Sequence, residues 1–401
     1  SNLKPAPRSQ FAPLKDVKCG DSIIIPPMGQ SPKDFGKYNK GSILLITEQM
    51  LELWDKMQGQ QRITYRRVLS GPMGVGKSYL SYFLAARAYA EGWLILYISD
   101  AGVLDTEEEA DSYMQVIERF LVMNKDVLTA AELEKLVCGY NGQWDIWSTA
   151  ITPVFNILMQ KKRKTLTVVD EHGMLFRSTI PVPAKFISLK PLMDLASWTD
   201  GNLGSHLILT GTAHAKYELE VMEPSYRCDY TTVVFVGPLS ENDFLELLKN
   251  VTNLNPVDVE EIVKVTNRVP RELMQLDTFV QENSGLPVNE ALSKFEIDRK
   301  GFFAEVAENY YKRIKEDHFS RERFFHGLAQ AFLYGSGNGN FKWDFLDLGL
   351  LYRFKRDGST LFLPLCNATQ KALLELFKLM PMPENLMRRL KANNINGDDF
   401  E

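Results

Sequence analysis

Short runs of aliphatic, β-branched and aromatic residues, at Tyr65–Leu69, Trp93–Ile98, Leu166–Val169, His206–Leu209 and Thr231–Val236, alternate along the chain with stretches whose apolar residues recur at helical spacing. Runs without strict polar alternation predict strands buried on both faces, and their alternation with helices predicts a parallel sheet covered on both sides. Ahead of the first run, Ile43, Leu44, Ile46, Met50, Leu51, Leu53 and Trp54 predict one amphipathic helix. The insert at about 101–165 carries helical periodicity at Met114–Met123, Ala130–Val137 and Ile146–Met159. Its length exceeds a simple crossover, so a helical elaboration near the site is expected.

After Pro238 the pattern turns helical, at Glu241–Lys249, Pro256–Thr266 and Pro270–Glu282, which predicts a lid of three helices. Leu292–Lys315 and Arg321–Tyr334 predict further helices, Leu350–Phe354 and Thr360–Leu363 flank Asp357-Gly358 as a hairpin, and Ala368–Phe377 is again helical. Helices followed by a hairpin predict a winged-helix-like module. Residues 1–42, rich in Pro, Gly, Ser and Lys, have too little periodic hydrophobicity for a long core element and are expected to be a leader that is partly ordered at best. The expected organisation is a Pro-rich leader (1–42), an α/β P-loop core with a five-stranded parallel sheet (43–237), a helical lid (238–286) and a helical, winged-helix-like domain (287–401).

Composition narrows the class without naming a partner. With 45% hydrophobic and 24% charged residues the chain can bury a sizeable core, and a net charge of −5 supplies no global attraction to nucleic acid or anionic membrane. Cys19, Cys138, Cys228 and Cys366 form no CxxC pair, which argues against a disulfide framework or a structural zinc site and favours a reducing compartment. No apolar run approaches the roughly 20 residues that span a bilayer. Ser1-Asn2 reads as a tag remnant, so targeting segments of the natural protein can lie outside this sequence.

The chemistry concentrates at Gly71-Pro72-Met73-Gly74-Val75-Gly76-Lys77-Ser78, a full GxxxxGK[ST] match that follows a strand and precedes the helix Tyr79–Ala90. Glycines let backbone N–H groups curl around a phosphate, and the helix N-terminus adds its dipole. Lys77 is positioned to bridge β- and γ-oxygens and Ser78 to take a Mg²⁺ position, with Tyr79 completing the nucleotide-binding segment. The strand Leu166–Val169 ends in Asp170-Glu171. Asp170 is expected on the metal and Glu171, pointing the other way, as the general base toward water; the plain alternative is a pair capping the next helix. Asn124-Lys125-Asp126-Val127 lacks the fourth-place Asp of a guanine reader, which favours ATP over GTP. His172 is expected either to sense the γ-phosphate or to satisfy a loop hydrogen bond.

With these motifs the chain resembles the additional-strand P-loop ATPases, the AAA+ and STAND group. The resemblance implies that His206–Thr212 is a strand lying between the phosphate strand and the acidic one, with Thr210 the sensor-1 candidate and Thr212 its alternative. It implies a sensor-2 arginine in Asn267-Arg268-Val269-Pro270-Arg271, Arg271 preferred over Arg268, and an arginine finger at Arg227 acting on a neighbouring subunit. Solvated loop or helix-end arginines are the plain alternatives. Val169–Gly173, Leu209–Ala213 and Phe345–Arg353 also resemble the ATPase of Crinkler effectors and trypanosome retrotransposon hot spot proteins, over about residues 45–380. That family implies a nuclear or secreted-effector, nucleic-acid-associated setting; the nuclease-like domain some members carry is not expected here.

The expected function is Mg²⁺-dependent ATP hydrolysis driving a conformational switch, in the nucleus or cytoplasm and off the membrane, with DNA or RNA and a protein partner or second copy as partners. The competing function is a nucleotide-binding scaffold with little hydrolysis. Lys312-Arg313-Ile314-Lys315, Arg321-Glu322-Arg323 and Arg353-Phe354-Lys355-Arg356 could track phosphates, but the acids among and beside them favour a solvated face.

Overall fold

A computed structural model describes residues 3–33, 35–36, 43–59, 65–104, 109–138, 164–172, 205–210, 231–254, 258–314, 324, 345–346, 348–356 and 359–379. The chain divides into two compact units, Ser1–Pro256 and Val257–Glu401.

The first unit is organised by β3 (Tyr65–Ser70), β4 (Leu94–Ile98), β5 (Thr165–Val169), β6 (Ser205–Thr210) and β7 (Thr231–Phe235), all paired in parallel in the order β4-β5-β6-β3-β7. Every residue of β4 and β5 is buried, as their unbroken apolar runs require. The order places β6 between the strand that feeds the phosphate loop and the strand that ends at Asp170.

Helix α2 (Lys77–Ala90) follows the phosphate loop and is buried almost all round. One side lies on the sheet; the other is covered by residues 8–15, a 3-10 helix that buries Phe11 and Leu14. Phe11 meets Tyr89 edge-on at 5.1 Å. The Arg8 guanidinium sits 4.0 Å over the Tyr89 ring and donates to the carbonyls of Tyr89 and Trp93 at 2.7 and 3.0 Å, a cation placed at the helix C-terminus. The leader expectation for residues 1–42 is therefore corrected: the described part is integral to the core, because a helix apolar on two sides needs a second cover. The single helix expected from Ile43 is also corrected. Strand β1 (Ser22–Ile24) pairs antiparallel with β2 (Ile43–Leu45), and α1 (Glu48–Gly59) begins only after Thr47, whose hydroxyl accepts from Met50 N–H at 3.3 Å. The Asp243 carboxylate also accepts the Glu48 N–H at 3.3 Å, so a tertiary contact helps to set this start.

Within the insert, α3 (Glu109–Asn124) packs on β4 as an ordinary sheet-covering helix, and α4 (Ala130–Cys138) follows it; the expected helix at 146–159 lies outside the described residues. Helix α5 (Glu241–Val251) is N-capped by Ser240, whose hydroxyl accepts from Asp243 N–H at 3.1 Å. Thus the first of the three lid helices belongs to the first unit, and α6 (Val259–Thr266) and α7 (Pro270–Glu282) belong to the second.

In the second unit α6 and α7 are joined by Asn267 and Arg268, both left-handed at φ 48° and 60°. Asn267 Nδ2 donates to the Leu365 carbonyl at 2.8 Å, which helps hold this costly turn. Helix α8 (Val288–Ile314) is tied to α7 by the bidentate pair Arg299–Glu272, at 2.8 and 2.7 Å. Strands β8 (Leu351–Arg356) and β9 (Ser359–Pro364) form the expected hairpin, and α9 (Asn367–Leu379) returns along α8 with Lys371–Glu296 at 2.9 Å and Lys300–Glu375 at 2.6 Å. This is the winged-helix-like module; of the helix expected at 321–334 only Phe324 is described, and Arg321 and Arg323 lie outside. Cys19 and Cys366 are free thiols, and no described helix is long and apolar enough to cross a membrane.

Candidate nucleotide site

The phosphate loop joins β3 to α2. Gly71 leaves the strand where an added Cβ would come within 1.9 Å of the Val236 carbonyl, so the backbone just after β7 admits only glycine there. Gly76 is the residue before α2 and sits at φ 97°, a conformation glycine adopts without a Cβ penalty. Pro72 and Val75 are buried, Gly74 and Gly76 half-buried, and Met73 is exposed at the loop tip. Tyr79 is half-buried with its ring 5.1 Å from Phe35.

The Lys77 ammonium is turned into the loop, donating to the carbonyls of Gly71 and Pro72, both at 2.7 Å. A phosphate oxygen entering the loop competes with these carbonyls for the same donors. Ser78 and Asp170 are brought together: Ser78 Oγ donates to Asp170 Oδ1 at 3.1 Å, and that oxygen also accepts the Glu171 N–H at 2.9 Å. The other oxygen, Oδ2, is buried with no hydrogen-bond partner among the described residues. Burial raises the Asp170 pKa to about 7 and the neighbouring Glu171 charge adds to the rise, opposed by the hydrogen bonds from Ser78 and the Glu171 backbone and by Lys77. A buried carboxylate with one unmet oxygen beside a serine hydroxyl is a donor set that fits a hard divalent cation.

Glu171 breaks from the strand direction at once, at φ 53°. A non-glycine residue in this region costs about 1–2 kcal/mol, and such strain clusters at functional sites. His172 is buried, and Nδ1 lies 2.8 Å from the Thr210 carbonyl. Burial pushes its pKa down to about 4, so the ring is neutral near pH 7 and Nδ1–H donates to that carbonyl. Of the two expectations for His172, the structure shows the loop hydrogen bond, and it spans from the acidic segment to the end of β6. Thr210 is fully buried beside Asp170, its Oγ1 without a partner among the described residues.

Arg271 lies in the first turn of α7 and Arg268 in the left-handed turn before it, both in the second unit. Arg227 and Thr212 lie outside the described residues. Of the basic residues singled out in the second unit, Arg353 is buried and so belongs to neither a solvated face nor a phosphate track, whereas Lys312 pairs with the exposed Glu308 at 3.7 Å, as on a solvated face. Asn124, in the segment compared with a guanine reader, is fully buried under β4.

No protein-family model matches the sequence, and no curated protein matches it. Among solved structures, the chain is similar to the Aeropyrum pernix ORC2 protein in ADPNP–ADP complexes, with 14% identity over 91% of this chain and 98% of that one and a TM-score of 0.43. It is similar to Cdc6p from Pyrobaculum aerophilum, with 12% identity over 94% and 99% and a TM-score of 0.37. It is also similar to the replication initiator DnaA bound to AMPPCP and single-stranded DNA, with 14% identity over 87% and 91% and a TM-score of 0.37. Scores of this size add nothing to the P-loop fold, which stands on the strand order and the loop geometry.

Proposed function

We propose that the chain is a Mg²⁺-dependent ATPase whose turnover drives a conformational switch. The observation that carries this is the meeting of Ser78 with Asp170 at 3.1 Å, at the mouth of a complete phosphate loop, with the second Asp170 oxygen buried and unmatched among the described residues. Ser78 and Asp170 would hold Mg²⁺, which when bound neutralises charge on the β- and γ-phosphate oxygens. Lys77 exchanges the carbonyls of Gly71 and Pro72 for phosphate oxygens, and backbone N–H groups of the loop complete the cradle. Glu171, re-aimed by its left-handed turn, takes the proton of the attacking water, and Thr210 orients that water.

Arg271 is assigned to the γ-phosphate as sensor 2 and Arg227 to a neighbouring copy's nucleotide, both on the strength of the AAA+ and STAND resemblance. ATP is preferred over GTP because Asn124 is spent inside the fold and no guanine-reading motif is present in the sequence. The phrases shared with Crinkler and retrotransposon hot spot ATPases support a nucleic-acid-associated or effector setting.

The test is phosphate release from ATP with Mg²⁺ by the purified chain. Glu171→Gln is expected to lower kcat by about 10²–10⁴-fold while ATP still binds, the size of a lost general base. Lys77→Ala should lose binding itself. Turnover unchanged in Glu171→Gln would overturn the assignment of the base; tight binding without turnover in the wild type would favour the scaffold function.

A further inference from the structure

The face of the sheet that carries Asp170 holds another polar group that the reading above leaves without a task. Tyr97, in β4, pairs in register with Val168 of β5, which pairs with Ile208 of β6. Partners in parallel register present their side chains to one face, and so do residues two apart along a strand. Tyr97, Asp170 and Thr210 therefore share a face.

Contacts with α2 identify that face. The Tyr97 ring lies 5.7 Å from Tyr82, and Ser78, one helical turn before Tyr82, bonds Asp170. Tyr97 is fully buried, and its hydroxyl has no hydrogen-bond partner among the described residues. The Asp170 charge is the largest influence after burial in raising the pKa of that hydroxyl. A buried hydroxyl that can donate and a buried carboxylate oxygen that can only accept are complementary, and each is costly to leave unmatched.

We propose that Tyr97 is a positioning residue of the metal site, its hydroxyl fixing the second oxygen of Asp170 through one bridging water. Asp170 Oδ2 has two lone pairs, so this bond leaves one for the metal side. The inference rests on the reading of Asp170 as the metal-side carboxylate. It assigns to β4 a share in orienting the carboxylate from behind, while Ser78 orients it from the front. Groups that orient a ligating carboxylate typically change metal affinity by 10–100-fold when removed.

The test uses the full chain with ADP, and Mn²⁺ as a spin probe for the metal site. Tyr97→Phe keeps the ring and is expected to bind Mn²⁺ about tenfold more weakly in the ADP complex, with ADP affinity in EDTA and the melting temperature unchanged. Tyr82→Phe is the packing control, because that hydroxyl is bonded to the Met28 backbone instead; its Mn²⁺ affinity should match the wild type. Mn²⁺ affinity of Tyr97→Phe within twofold of wild type overturns the proposal, as does an equal weakening in Tyr82→Phe or a parallel loss of ADP binding in EDTA. Asp170→Asn separates the two levels. If it binds Mn²⁺ like the wild type, the metal-site reading itself fails, and the role of Tyr97 falls with it.

Discussion

Asp170 is buried in the fold at an electrostatic cost. Its pKa is raised from 3.8 to about 7, chiefly by burial. A raised carboxyl pKa means the folded state keeps a proton that the unfolded chain has lost, so this group favours folding most below pH 4 and loses that contribution as pH rises through 7. Asp170→Asn retains an acceptor for Ser78 and for the Glu171 N–H but never ionises. Metal-free Asp170→Asn should therefore be more stable than wild type at pH 8, by an amount on the order of a few kcal/mol, with the advantage shrinking between pH 7 and pH 4. Urea denaturation across that range measures it; a variant less stable at pH 8 would show that the carboxylate is better accommodated than its burial implies. That Asp170 is a candidate site residue was legible in the sequence, since an acid ending an apolar strand downstream of a GxxxxGK[ST] loop suits a metal-side carboxylate. Its orphaned oxygen, and the hydroxyl of Tyr97 behind it, were not, because a tyrosine in an apolar strand reads as packing.

At the scale of elements, the edge of β4 is closed, among the described residues, by side chains and not by another strand. Asn124, at the end of α3, accepts the Ile95 N–H at 2.9 Å and donates to the Ile95 carbonyl at 2.8 Å. Gln30 continues the same edge, donating to the Tyr97 carbonyl at 2.7 Å, accepting the Ser99 N–H at 3.4 Å, and being held by Arg119 Nε at 2.9 Å. Two carboxamides thus stand in for a neighbouring strand and cover an edge that would otherwise be open to pairing. Asn124→Leu keeps the volume but strands one buried N–H and one buried carbonyl, and should cost about 2–4 kcal/mol in urea denaturation at neutral pH. A loss under 0.5 kcal/mol would mean that the edge recruits water instead. Periodicity could not reveal this, since polar residues in or beside an apolar pattern are expected to face solvent. The same limit hid the role of residues 8–15, whose few apolar side chains matter only because α2 needs a second cover.

Across the first unit, two neutral histidines set the response to acid. His206 is buried against Trp93, its pKa pushed down to about 3 by burial and then by Lys164, and His172 stands at about 4. A depressed histidine pKa gives stability that is complete above the unfolded value of 6.5 and is lost as pH falls below it toward 4 and 3. Asp170 acts in the opposite sense over the same window. From these three groups the wild type should take up about one net proton on unfolding between pH 6 and pH 4.5, and Asp170→Asn about two, so the variant's stability falls more steeply toward acid. The slope of unfolding free energy against pH reads both numbers; equal slopes would show that Asp170 is ionised in the fold throughout.

What the sequence determined by itself was local. Apolar runs located β3 to β9 to within about a residue or two but not β1 and β2, Pro270 marked the start of α7, and Gly71–Ser78 with Asp170-Glu171 marked the candidate phosphate site, because each is a property of contiguous residues and their backbone preferences. The tertiary structure decided what depends on distant partners: the burial of residues 8–15 on α2, the amide seal on β4, and the convergence of Tyr97, Asp170 and Thr210 on one face. Those features arise from which surfaces remain unsatisfied once the elements meet, and no single stretch of chain carries that information.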